Sequence, residues 1–328
     1  MGWLRLVLAA MVALSHAGVR VQGLNPGVTA VVVFYLISGY VMAGLLRSHY
    51  TQGRDVPRFY ADRALRIFPQ YLFYMAAALV WQLVTASTTL FLTHAPTPVD
   101  LLNNVLVIPL NFFMFNGADA YTLVPPAWSL GAELQFYLLA PLMLLWPRLG
   151  VMLAVASAGV QLLAMHAVLH SDWFGYRLLP GVLVFFALGM LMFHLRAKGS
   201  AILAAATPLA AVALYAGLRS RDLHSLPYNT EVLIGLGCGI PLLHVLGRRP
   251  AGKAAQVAGD VSYGVFLNHF LLLWLLFPSG TPGPAQLCAL LACSFVASWV
   301  TQRVLERPLL AWRRRWRDKR KTRSSSVT

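Results

Sequence analysis

Ten apolar runs follow one another along this chain, at 3–19, 28–46, 70–92, 128–146, 150–169, 178–195, 201–218, 230–246, 261–277 and 285–304. Nothing else in the sequence restricts the fold so strongly. A segment in lipid must satisfy its own backbone hydrogen bonds, and about 20 apolar residues do so as one membrane-crossing helix. The predicted fold class is all-α, a polytopic membrane protein with about ten transmembrane helices. Composition agrees: 58% of the 328 residues are hydrophobic and 11% charged, where a soluble globular domain carries about 25% charge. A water-soluble enzyme is excluded, and there is no room for a separate soluble catalytic domain. Any chemistry must take place among the helices.

Charge sets the expected orientation. With the N-terminus inside, 22 of the 26 Lys and Arg residues fall in inside loops and four outside. That split follows the positive-inside rule and puts both termini in the cytoplasm. The net charge of +15 is concentrated at one end, where ten basic residues lie from Arg303 onward. Residues 309–328 are therefore expected to form a basic cytoplasmic tail on anionic lipid, after a transmembrane domain at 1–308. No nucleic-acid partner is implied. Cys238, Cys288 and Cys293 lie in apolar stretches without metal-ligand spacing and read as packing residues; no metal site is expected.

One further apolar segment, Leu101–Phe115, would reverse the side of every later loop if it crossed. It carries Pro109, Asn103, Asn104 and Asn111. It reads as a re-entrant or interfacial helix on the outer side, over the mouth of a cavity.

Chemistry-bearing residues stand out against this background. Arg5 and His16 share the first run, and eleven helical steps separate them by about 16 Å along the axis. An ionisable group at that depth points to function. Other readings stay open: His16 as a hydrogen-bonded core histidine and Arg5 as a snorkelling anchor. The stretch also has the make-up of a signal peptide, but a second apolar run within ten residues suits a helical hairpin better. In the second run, Ser38 and Gly39 are small residues that permit close packing. In the following loop, Arg63 and Arg66 are three apart, on one face of a short helix ahead of Pro69. Two guanidiniums so placed make a fork for phosphate, or serve only as inside anchors. The fourth run opens with Trp128, Ser129 and, about one and a half turns in, Glu133. Glu133 and His16 fall at similar depth, so a His–Glu pair can form, the carboxylate setting the imidazole tautomer. A structural ion pair is the plainer alternative. Asn268 and His269 lie near the middle of the ninth run, where packing or hydrogen bonding is the simpler role, and Glu306 falls at the inner end of the last.

Six motifs now stand in order from residue 5 to residue 308: Arg5-x10-His16, Phe34-Tyr-Leu-Ile-Ser-Gly-Tyr40, Phe59-Tyr-x-x-Arg63-x-x-Arg66-Ile-x-Pro69, Trp128-Ser-Leu-x-x-Glu133-x-x-Phe136-Tyr137, Ser262-Tyr263-x5-His269 and Glu306-Arg-Pro308. Together they resemble the membrane acyltransferase-3 family, O-acyltransferases of bacterial surface polysaccharides and related acceptors, in its standalone form without a C-terminal hydrolase-like domain. The chain departs from the family's pattern at Val32, Tyr35 and Asn268.

The resemblance implies a ten-helix domain that moves an acyl group, usually acetyl from acetyl-CoA, onto a hydroxyl. It implies a catalytic role for His16 and donor-side roles for Arg63 and Arg66. On this reading His16 is the general base, Glu133 orients it, and Arg5, Arg63 and Arg66 meet acyl-CoA. Ser38, Trp128, Ser129, Tyr137, Asn268 and His269 serve the acceptor side or support it. Acyl-CoA is a co-substrate and no cofactor is bound. The partners are a carbohydrate or lipid-linked carbohydrate and the bilayer, and the expected location is the bacterial inner membrane. The alternative is a transporter or flippase for a lipid-linked saccharide, which a buried His and Glu would also suit.

Overall fold

Prolines and short polar caps decide where the helices begin. Pro26, Pro98, Pro147 and Pro284 each stand in the first turn of a helix, where the missing N–H costs nothing and the fixed φ suits the turn. Asn25 caps one start, its side-chain oxygen accepting from Gly27 N–H at 2.9 Å. Thr97 and Asp100 cap another reciprocally.

The computed structural model describes residues 1–195, 197–250, 252–278, 282–309 and 311. In chain order the helices are α1 (Gly2–His16), α2 (Pro26–His49), α3 (Val56–Thr85), α4 (Pro98–Leu106), α5 (Ile108–Asn111), α6 (Phe113–Asn116), α7 (Ala127–Leu145), α8 (Pro147–Met165), α9 (Leu179–His194), α10 (Ala197–Arg219), α11 (Asn229–Gly247), α12 (Lys253–Leu276) and α13 (Pro284–Thr301). The turn before α9 (Trp173–Arg177) and the one after α13 (Gln302–Glu306) are π-helical. Among the described residues nine helices are long and apolar enough to cross a membrane, and α1, with 15 residues, is a shorter apolar one. The protein is an all-α, multi-pass membrane protein, and these ten helices match the ten apolar runs. The basic tail expected at 309–328 lies, apart from Leu309 and Ala311, outside the described residues.

Three expectations need correction. The arginine pair does not sit on a short helix ahead of the third span. α3 is one 30-residue helix with Pro69 inside it, so Arg63 and Arg66 belong to the bundle. Interior prolines recur at Pro141, Pro208 and Pro241, tolerated because neighbouring helices and side chains answer the freed carbonyls. The cysteines are not packing residues, since all three are exposed on the helices' outer surfaces.

The 101–115 segment does not cross, but it is not one helix either. It breaks between α5 and α6 at Phe112, and between α4 and α5 at Val107, a buried β-branched residue at φ 65°, a backbone region such residues rarely adopt. Two of its asparagines turn inward. Asn104 and Asn111 are fully buried. The Asn104 amide donates to the carbonyls of Asp100 and Tyr121, and its oxygen accepts from Leu123 N–H. The Asn111 amide donates to the carbonyls of Trp128 and Arg177, each at 3.0 Å, while Gln135 donates to its oxygen. Those bonds clamp the segment over one end of the bundle.

α2 runs through the centre, buried along most of its length, and packs on α1, α7, α9 and α11. Its crossing with α9 is held by two glycines facing opposite ways. A Cβ on Gly39 would lie 1.9 Å from the Phe186 carbonyl oxygen, and one on Gly189 would lie 2.0 Å from that of Leu36. Backbone leaves neither contact room to yield. Gly39→Ala and Gly189→Ala should each destabilise the protein by about 3 kcal/mol, the upper end of the usual cost of overpacking. Gly217→Ala, in α10 with nothing within 4 Å of the new atom, should leave the protein as stable or more so. Thermal melting of the detergent-solubilised variants checks the contrast.

Candidate active site

Arg63 and Arg66 reach the bundle interior from the first third of α3. Arg63 pairs with Asp62. Arg66 pairs with Glu306, lies 3.9 Å from Asp260, and has the Tyr263 ring 5.9 Å from its guanidinium carbon. The π turn Gln302–Glu306 brings Glu306 here, where it is buried. Arg5 comes from the first turns of α1 and has no ion pair among the described residues. All three arginines line one cavity of about 180 Å³, with Glu133 the only acid in its wall among the described residues. Asp62 and Glu306 already meet Arg63 and Arg66, so Arg5 is the guanidinium in this wall without an ion pair among the described residues.

Glu133 projects into this cavity from α7. Its Oε1 accepts from the Ser38 hydroxyl of α2 and the Tyr137 hydroxyl one turn along α7, both at 2.6 Å. The carboxylate therefore ties α2 to α7, and Ser38 and Tyr137 act through it.

His16 is the last residue of α1, with an exposed face. Its Nδ1 lies 3.0 Å from Nε2 of His269 on α12. The two rings are parallel within 3°, centroids 5.1 Å apart, and Phe270 packs 4.8 Å from His16. The pair that forms is His16–His269 and not the expected His16–Glu133. Its cause lies in the packing: α12 lies along α1 and puts His269, fully buried, beside the end of that helix. Asn268 faces a different set of partners. It donates to the Ser294 carbonyl at 3.0 Å and the Tyr74 hydroxyl at 3.2 Å, and accepts from the Ser294 hydroxyl. Tyr74 and Gln70 both bond Thr301. This polar ladder fixes α12 against α3 and α13 and so fixes the depth of His269.

A second, smaller cavity of about 30 Å³ surrounds His16, with Asn25, Trp128, Ser129 and Tyr176 in its wall. That is about the volume of one water. Val31, Ser129 and Phe266 line both cavities. The arginines therefore stand on one side of a thin septum and the imidazole on the other. The Ser129 hydroxyl donates to the Pro126 carbonyl at 2.9 Å.

Arg177 carried no site role in the sequence, where it was one of four outer basic residues. In the structure its guanidinium lies 4.7 Å from the Trp128 ring, 5.1 Å from Phe113 and 5.5 Å from Tyr176, and its Nε donates to Asp172 at 2.6 Å. This cationic box holds Trp128 and Tyr176 at the edge of the His16 cavity. The spacing of Asp172, Trp173, Tyr176 and Arg177 was a usable signal, but the π turn that gathers it was not legible.

The profile of a family described as an acyltransferase domain matches residues 1–303. The chain belongs to this acyltransferase family. It is 26% identical over 316 residues to nodulation protein 10 of Rhizobium leguminosarum bv. viciae, covering 85% of this chain and 84% of that one. An uncharacterised protein of Aquifex aeolicus (strain VF5) is 36% identical over 162 residues, 47% of this chain and 72% of its own. The O-acetyltransferase OatA of Staphylococcus aureus is 33% identical over 127 residues, which are 38% of this chain and 21% of OatA. No solved structure matches.

In this membrane acyltransferase, removing the Glu133 side chain would leave two hydroxyls without their acceptor, at about 1–3 kcal/mol each. Glu133→Ala should melt well below wild type in detergent. Glu133→Gln keeps an oxygen for Ser38 and Tyr137 and should melt close to it. Equal melting of both variants would show that those hydrogen bonds contribute nothing.

Proposed function

We propose that the protein transfers an acyl group, acetyl from acetyl-CoA, to a hydroxyl of a carbohydrate acceptor at the bacterial inner membrane. The observation that carries this reading is the cavity bearing three guanidiniums that ends at a septum shared with the His16 cavity. One side suits the phosphates of a CoA thioester and the other suits a hydroxyl beside a base. That a relative is an O-acetyltransferase supports oxygen as the acceptor atom and acetyl as the group.

The charge split of the loops supports Arg5, Arg63 and Arg66 facing the cytoplasm, where acyl-CoA is made. On this reading the pantetheine arm extends from them along α1, and the offset of about 16 Å between Arg5 and His16 is of the order of that arm. His16 takes the proton from the acceptor hydroxyl. The oxygen bonds to the thioester carbonyl carbon, the C–S bond breaks, and the thiolate recovers the proton from His16 to leave as CoA thiol. The step is redox-neutral and needs no co-reactant beyond the two substrates. Glu133 balances the arginines and joins α2 to α7 rather than touching His16.

Membranes holding equal amounts of full-length wild type or variant, given labelled acetyl-CoA and the host's surface glycan, test this reading. His16→Ala should lose transfer by about 10²-fold or more, the usual share of a general base. Arg63→Ala and Arg66→Ala should each raise the KM for acetyl-CoA roughly tenfold or more, the worth of a charge-assisted hydrogen bond. A wild type that neither transfers label nor binds acetyl-CoA overturns the proposal in favour of a transporter.

A further inference from the structure

Protein partners fix the proton positions of the two histidines. His269 Nδ1 lies 3.2 Å from the carbonyl oxygen of Val265, one turn back on α12. A carbonyl only accepts, so Nδ1 of His269 carries the hydrogen. A neutral imidazole has one N–H, which leaves His269 Nε2 as a bare lone pair. Its neighbour at 3.0 Å is His16 Nδ1, so that contact is donated by His16. His16 Nε2 is then the unprotonated nitrogen.

We infer that His269 is a positioning residue that locks His16 in the Nδ1–H tautomer and makes Nε2 the base. The inference rests on the proposed role of His16 as general base. A carboxylate or carbonyl commonly orients a catalytic histidine. Here a second, buried imidazole does so, with a backbone carbonyl behind it. The parallel ring planes, within 3° of each other, and the Asn268 ladder on the same helix hold the chain of donors in register. During transfer Nε2 receives the hydroxyl proton and the imidazolium keeps its Nδ1–H bond to His269. Nε2 then returns the proton to the departing sulfur, and His269 gains and loses none.

The test is ¹⁵N NMR of histidine-labelled wild type in lipid nanodiscs, with the His16 signals assigned by their loss in His16→Gln. The expected pattern is a protonated Nδ1 and an unprotonated Nε2 on His16; the reverse pattern overturns the inference. In transfer assays His269→Leu should lower kcat about tenfold or more, the KM for acetyl-CoA staying at the wild-type value. His269→Gln, whose amide oxygen can accept from His16 Nδ1–H, should recover most of that loss. If both variants turn over like wild type, His269 does not position the base. If His269→Leu does not fold, the spectrum and the Gln variant still decide. Failure of the acyltransfer reading would appear separately, as a wild type with no transfer whatever its His16 tautomer.

Discussion

Every polar group at bilayer depth has to find its partner inside the protein, because lipid offers none. Much of this molecule's architecture answers that demand. Glu133 is met by two hydroxyls from different helices. Arg66 is met by acids from α12 and the turn after α13. Asn268 is met by α3 and α13 together. Each answer costs an otherwise apolar helix one or two polar positions, and each ties together helices that apolar contact alone would leave free to slide. The site is then where these ties converge, with His16 joined to α12 by the imidazole contact and to α2 by helix packing.

The sequence disclosed the helices far better than their contacts, for a physical reason. Lipid selects for apolar residues on all sides of a helix, so the runs stand out, while the one-sided pattern that marks a soluble helix's buried face fades. α2 and α7 are buried at positions all around their circumference, and nothing in their periodicity tells which side meets which neighbour. Arg5, His16 and Glu133 were legible because ionisable residues are conspicuous in such runs, and Arg63 and Arg66 because a spacing of three puts two guanidiniums on one helix face. Their pairing was not, since similar depth is compatible with more than one rotation. His16 and Glu133 do lie near the septum, on opposite sides of it. The two π turns escaped notice for a different reason: one extra residue in a helical turn leaves no compositional trace, yet it swings Arg177 and Glu306 into place.

The segment between α3 and α7 shows how an irregular backbone is kept within a membrane protein. The left-handed Val107 breaks the helix, and such a conformation persists only when its surroundings over-determine it. Gly131 of α7 supplies part of that surrounding. A Cβ there would come within 2.9 Å of both the Val107 carbonyl and the Asn111 side chain, so the glycine lets the broken segment lie directly on α7. Asn111 then spans from the start of α7 to the turn before α9, the two elements that present Trp128 and Arg177. The clamp over the bundle and the aromatic box beside His16 are thus one mechanical unit.

The septum of Val31, Ser129 and Phe266 has an electrical consequence. A membrane that stores energy as a potential of 100 mV holds about 2.3 kcal/mol for each elementary charge that crosses it. Two open cavities joined into one would offer a file of water through which protons could leak that energy away. Two apolar side chains and a serine whose hydroxyl is already engaged by Pro126 interrupt such a file. On the reaction proposed above and the orientation the loop charges favour, the group that passes is small and uncharged, while the carrier with its phosphates stays behind. On that proposal the protein hands an acyl group across the bilayer and still serves as an insulator.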